Sequence, residues 1–292
     1  MSTRKHHRLK LYLLVTAGLS FMGVLCLGGC LARQRMIAGK AMKSGKVIET
    51  TLSAPDSYTP SFEDPIPEER LLVFLAVRSE LAPYCRDFSR LQNTFTAVDL
   101  YAEQIESSER PPSRNEAFQE ARKIGSAVQS MLHVAPMINV YGVHRNDALL
   151  RHGMGLGEFT FINVVACFSA RRKAPAGFFG PGKGAPIWQA RVAGQIRDMV
   201  GRRAAWIGST LSATPPGAKR DLLEHQLKIW KNEYEFLTMN PHKVAFADGL
   251  PDEVRRVIDA HQAELDELCC PATSELDVAR VVRSKGIWYD HR

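Results

Sequence analysis

The first 48 residues of the chain contain no aspartate or glutamate, although they contain nine lysines and arginines. Residues 49–292 contain the other 29 basic side chains and all 31 acidic ones, so this part of the chain carries a small net negative charge. The overall charge of +7 is therefore a property of the N-terminal segment. A nucleic-acid-binding protein usually carries its basic residues on the folded part. We therefore expect no nucleic acid among the partners of this chain.

The sequence also lacks the short signatures of common catalytic sites. It contains no HExxH and no GxSxG, and the glycine-rich segment 173–186 lacks the GK[ST] ending of a phosphate-binding loop. We therefore expect neither a metal site nor a cofactor. These absences favour a binding or structural role over an enzymatic one.

Internal repeats and alternating strand-turn units are absent as well, which disfavours barrels and doubly wound sheets. Apolar residues recur instead at spacings of three and four, as is typical of helices. We predict an all-α fold, an irregular bundle of about six to eight helices that forms a single domain over residues 67–292. The predicted helices are one from Pro67 that is kinked or divided at Pro83, one from Ser113, one over 158–172, one over 187–211, one over 219–237, one opened by Pro251, and a last short one capped by Thr273 or Ser274.

The N-terminus has the order of an export signal. A basic stretch over residues 1–10 precedes a 15-residue apolar stretch from Leu11, which leads into Leu27-Gly28-Gly29-Cys30. These last four residues resemble the lipobox of bacterial lipoproteins. The resemblance implies that the chain is cleaved before Cys30, and that this residue is acylated on its sulfur and on its new amino group. We therefore expect a signal peptide over residues 1–29 and a lipid attached to Cys30.

An uncleaved membrane anchor is the alternative for this segment. Residues 11–32 contain no charged side chain, and about 20 apolar residues suffice to span a bilayer. The basic residues on the two flanks do not decide the orientation. If the chain is lipidated, Leu31 rather than aspartate follows the cysteine, and the resemblance then implies the outer membrane, facing the periplasm. The anchor alternative implies a single span in the inner membrane.

Residues 30–66 are predicted to form a lipid-bearing flexible tether, because their second half is rich in proline, serine and threonine without periodicity. The basic segment 33–46 is expected to contact the lipid bilayer together with the acylated Cys30. Other envelope proteins are the remaining expected partners.

Two of the six cysteines, Cys26 and Cys30, belong to the signal region. The remaining four are Cys85, Cys167, Cys269 and Cys270. An even number in an exported protein is compatible with two disulfides, and neighbouring cysteines are expected to take separate partners. Buried free thiols are the alternative, and the connectivity stays open.

Residues 144–158 hold the most suggestive group of polar side chains, beside a glycine-rich turn. The candidate residues are His144, Asp147, His152 and Glu158. One hypothesis is an acid/base or ligand site at the mouth of the helical core, in an exported enzyme. The other is that Glu158 stabilises the N-terminus of the following helix, where a carboxylate is favoured by the unpaired N–H groups.

Overall fold

The computed structural model describes residues 36–40, 42–52, 57–61, 63–93, 136–173, 185–241 and 243–279, with the backbone only for 185–191. This part of the chain is all-α, as predicted, and contains no β-strand. Its helices are α1 (36–40 and 42–51), α2 (Glu68–Leu81), α3 (83–93), α4 (136–151), α5 (Leu156–Val164), α6 (Ala185–Ser212), α7 (Ala218–Met239), α8 (Asp252–Ala260), α9 (Gln262–Leu268) and α10 (Pro271–Ala279).

The described helices outnumber the predicted six to eight because α1 and α4 are not among the predicted helices and because the helix predicted from Pro251 is divided. Helix α2 ends at Leu81 and α3 begins at Pro83, whose missing N–H cannot continue the hydrogen-bond ladder. Helices α8 and α9 are separated at His261, whose backbone leaves the helical region. The break at Pro83 was predicted, whereas the apolar periodicity continues across His261 and predicted a single helix there.

The apolar segment predicted as a buried helix over 158–172 is confirmed as helical. It forms α5 and continues directly as one π-helical turn, Val165–Ser169. All side chains from Phe159 to Ser169 are buried, and α5 lies against both α2 and α10. Its buried side chains belong to the hydrophobic core that the described residues form.

Helices α6 and α7 form a long antiparallel pair. Leu223, Trp230 and Leu237 follow one another at intervals of seven residues on α7, and all three are buried. The guanidinium of Arg203 on α6 lies 4.4 Å from the ring centroid of Trp230, so a buried cation rests on an aromatic face.

The last described helix begins earlier than predicted. Helix α10 starts at Pro271, a favourable first residue because its missing N–H needs no partner there. Thr273 and Ser274, predicted as caps, lie within the helix and are buried. Their hydroxyl groups accept hydrogen bonds from Arg78 of α2 instead.

The segment predicted as a flexible tether over residues 30–66 differs in the structure. Residues 42–51 are helical, and Ile48 and Ile66 are fully buried in the core. Asn146 of α4 donates a hydrogen bond to Ser44 at 3.0 Å. Packing of a few apolar side chains stabilises this segment, although its sequence has little periodicity.

Two disulfides join the start of α10 to the rest of the domain. Cys85 of α3 is bonded to Cys270, and Cys167 of the π-helical turn is bonded to Cys269. The bonds connect residues 185 and 102 positions apart in the chain. The neighbouring cysteines therefore have separate partners.

Several predictions concern residues outside the described ranges. These are the signal segment with Cys30, the helix from Ser113, the centre of the glycine-rich loop over 173–186, and the C-terminal residues from Arg280 onward. In the ranges that are described, no helix is both long and apolar enough to cross a membrane.

Candidate functional site

Glu158 lies in the first turn of α5 and faces Arg70 of α2. The helix begins after Gly155, which has no side chain to cap it. Both carboxylate oxygens of Glu158 accept hydrogen bonds from Arg70, from Nε and from Nη2, each at 2.6 Å. Arg70 also donates to the carbonyl oxygen of Gly153 at 3.1 Å, and the bond to Glu158 raises the pKa of Arg70. This bidentate ion pair fixes the turn before α5 against α2.

His152 lies in the turn after α4 and faces a different residue of α2. Its Nε2 is 2.8 Å from Oε1 of Glu80, and Arg151 forms an ion pair with the same carboxylate. The hydrogen bond from His152 is the largest cause that holds the pKa of Glu80 below its ordinary value, and the hydrogen bond from Arg151 is the next largest. Glu80 and Arg70 are ten residues apart on α2, so His152 and Glu158 share no partner.

His144 and Asp147 are both exposed on α4. The His144 ring packs edge-on against Tyr84 of α3, with centroids 5.5 Å apart. The four candidate residues are thus divided among separate contacts with α2, α3 and solvent. The contacts that these residues make are pairings between helices, and they do not form one shared site.

A buried polar cluster, which sequence reasoning missed, surrounds Asp277 of α10. Oδ2 of Asp277 accepts from Nη1 of Arg78 at 2.7 Å and from the hydroxyl of Tyr141 at 2.8 Å. Oδ1 accepts from Nη1 of Arg145 at 3.2 Å. All four side chains are almost completely excluded from solvent. Burial, reinforced by the negative charge of Asp277, raises the pKa of Tyr141 well above its ordinary value.

The Asp277 cluster (Arg78, Tyr141, Arg145 and Asp277) joins α2, α4 and α10 through a single carboxylate. A signal for it exists in the sequence, because Arg78 falls on the apolar face of α2, between Leu71 and Leu81 in helical register. A charged residue at such a position is buried, and a buried charge needs a partner. The sequence does not identify that partner as Asp277.

A second group of charged side chains lies where α6 meets residues 57–61. Arg202 donates two hydrogen bonds to the carbonyl oxygen of Tyr58, at 3.2 Å and 2.6 Å. Burial, with the negative charge of Glu158, raises the pKa of the Tyr58 phenol. Burial lowers the pKa of the neighbouring Arg203 to about 10. These contacts attach the extended segment before α2 to the α6–α7 pair.

A shallow cavity of about 270 Å³ lies at the end of α5 opposite to Glu158. Its lining includes Ser169, Arg172, Arg255 and Asp259. Ser169 follows Glu158 by eleven residues, roughly 16 Å along a helix axis. None of the four candidate residues lines this cavity.

The fold and the cross-links define an all-α domain that is closed by two disulfides. Within its described residues, no three histidine, cysteine, aspartate or glutamate side chains are grouped closely enough to hold a metal ion. Comparisons of the chain with protein-family models, with curated proteins and with solved structures give no match.

Proposed function

We propose that this protein is an exported lipoprotein of a bacterial cell envelope, attached to the membrane through Cys30, whose helical domain acts by binding other envelope components. Its expected place is the outer membrane, with the domain facing the periplasm. The observation that carries the proposal is the pair of disulfides, Cys85–Cys270 and Cys167–Cys269.

Disulfides support export because they form and persist in oxidising compartments, whereas cytosolic thiols are kept reduced. All four cysteines after the signal region are used in these two bonds. The bonds connect elements that are far apart in the chain, so they constrain the unfolded chain strongly. This use of cysteine agrees with the compartment that the signal segment predicts.

A binding role is supported by how the ionisable groups of the domain are used. Glu158, His152 and Asp277 all form hydrogen bonds or ion pairs between helices. Such pairs define a rigid arrangement of helices, and a rigid surface suits recognition of a partner.

Metabolic labelling with a palmitate analogue tests the lipid attachment. The wild-type chain is expected to incorporate the label, and Cys30→Ser is expected to lose it and to accumulate as the uncleaved precursor. Cys26→Ser is the matched control, because it removes a thiol of the same apolar segment and is expected to be labelled and processed normally.

Two results would overturn the proposal. Label that persists in Cys30→Ser places the modification elsewhere. A wild-type chain that is membrane-bound, unlabelled and still carries residues 1–29 is a protein with a single-span anchor.

A further inference from the structure

We infer that the exposed face of α1 is a docking surface for an anionic lipid bilayer, which holds the helical domain in one orientation on the membrane. This inference rests on the proposed membrane attachment and adds to it a second contact, made by the folded domain. It does not depend on whether an acyl chain or a membrane span provides the first contact.

Exposed apolar side chains are concentrated on α1. The exposed fractions are 58% for Met36, 47% for Met42 and 47% for Val47. These are three of the eight large apolar side chains that are exposed in the described part of the chain. A short helix that presents so much apolar surface to solvent is typical of a site that something else covers.

Lysines are interleaved with these apolar residues. Met36 and Lys40, Met42 and Lys46, and Lys43 and Val47 are each four residues apart, so at about 100° per residue the two side chains of each pair lie roughly 40° apart around the helix. Lys40, Lys43 and Lys46 are all exposed, and no acidic residue precedes Glu49. The exposed side of α1 therefore combines an apolar surface with three lysines and one carboxylate, Glu49, and has a net positive charge.

The opposite face of α1 is attached to the domain. Ile48 is fully buried, and Ser44 accepts a hydrogen bond from Asn146 of α4. The lysines and methionines consequently have a fixed direction relative to the other helices. A contact made by this face therefore orients the whole domain.

An anionic bilayer is the partner whose chemistry fits this face. Lysines attract anionic headgroups, and apolar side chains from the same helix face enter the boundary between headgroups and acyl chains. The position in the chain agrees, because Met36, the first described residue of α1, lies six residues after Cys30, so the proposed attachment keeps this helix at the membrane surface.

The test is a lysine-reactivity experiment on the full-length protein in vesicles. The protein is reconstituted into phosphatidylcholine vesicles, with or without phosphatidylglycerol, and treated with a membrane-impermeant amine-acylating reagent. We expect Lys40, Lys43 and Lys46 to react roughly fivefold more slowly when phosphatidylglycerol is present, since each lysine near an anionic surface gains about 1 kcal/mol. The exposed lysines of α7, Lys219 and Lys228, are expected to react equally in both.

Two further experiments separate the contribution of the lysine charges from that of the apolar side chains. Salt at about 1 M is expected to abolish the protection, because it screens charges beyond about 3 Å. Met36→Gln with Met42→Gln is expected to restore most of the lysine reactivity. The matched control is Leu222→Gln with Met239→Gln, which removes two exposed apolar side chains from α7 and is expected to leave the protection unchanged.

Equal reactivity of the α1 lysines in the two kinds of vesicle would overturn the inference. Protection of the α7 lysines to the same degree would also overturn it, because anionic lipid would then protect lysines outside the proposed docking surface as well. Neither result bears on the palmitate label, so failure of this inference is distinguishable from failure of the proposed attachment.

Discussion

At the scale of single residues, the Asp277 carboxylate makes the contacts with the greatest consequence for stability. It accepts hydrogen bonds from two arginines and one tyrosine, in a place that water does not reach. Removing one partner of a buried ion pair leaves the other charge without compensation. Two guanidinium groups depend on this carboxylate.

Asp277→Asn is therefore expected to destabilise the domain by about 3–5 kcal/mol, since it keeps the shape of the side chain and removes its charge. The free energy of unfolding in denaturant is the measurement. Asp266→Asn serves as the control, because Asp266 pairs with Arg171 at the surface and its loss should cost less than about 1 kcal/mol. Equal losses for the two variants would contradict the assigned role of Asp277.

Glu233 provides a prediction about pH at the same scale. Its carboxylate accepts a hydrogen bond from the backbone N–H of Phe246 at 2.7 Å, and burial raises its pKa. Between its ordinary and its raised pKa the folded state binds more protons than the unfolded state. The stability therefore falls as the pH rises through this window. Above the window, the full destabilisation caused by the buried, ionised carboxylate remains.

Glu233→Gln keeps an acceptor for Phe246 and removes the buried charge. We expect the variant to be more stable than the wild type at neutral pH, and equal to it below the window, where Glu233 is protonated. Thermal unfolding across this pH range measures the difference, and the exposed Glu235→Gln is the matched control. A difference that does not change with pH would refute the assignment to ionisation.

At the scale of elements, the close approach of α6 and α7 depends on a glycine. A Cβ atom at Gly201 would lie 2.8 Å from Cε2 and 2.9 Å from Cδ2 of Tyr234. At Gly194, on the same helix, a Cβ atom would meet nothing within 4 Å. The two glycines therefore differ in packing and share the same cost in helix propensity.

Gly194→Ala is expected to stabilise the domain by about 1 kcal/mol through helix propensity. Gly201→Ala has the same gain but must displace the tyrosine ring, which costs about 1–3 kcal/mol, so the variant is expected to be neutral or less stable. Denaturant unfolding of both variants measures the difference. In a Tyr234→Leu background, Gly201→Ala should become stabilising, and its failure to do so would exclude the ring contact as the cause.

At the scale of the whole molecule, the two disulfides attach the start of α10 to α3 and to the π-helical turn that follows α5. Double replacement of Cys85 and Cys270 by alanine is expected to cost about 2–5 kcal/mol, and so is replacement of Cys167 and Cys269. Guanidinium unfolding measures these losses. Excess reductant should bring the wild type and both variants close together, and a wild-type stability that is insensitive to reductant would contradict the prediction.

The all-α fold could be predicted from the sequence because its main signals are local. The apolar run that forms α5 and the seven-residue spacing of Leu223, Trp230 and Leu237 lie within single helices. The pairing of Arg78 with Asp277 could not be predicted, because the two residues are 199 positions apart and no local pattern connects them.

The candidate site was harder to predict for the same reason. The polar residues around Glu158 were identified, but their partners Arg70 and Glu80 lie on another helix. The burial of Ile48 was missed because one apolar side chain that packs on a distant core produces no periodicity.

The disulfide connectivity also determines what a protease can release. One peptide bond cut anywhere between Cys85 and Cys269 leaves two pieces that remain covalently joined, because at least one cystine bridges the cut. On a gel such a chain runs as one species without reductant and as two fragments with it. If the chain is attached through Cys30 as proposed, a domain nicked in this way would stay joined to its membrane attachment.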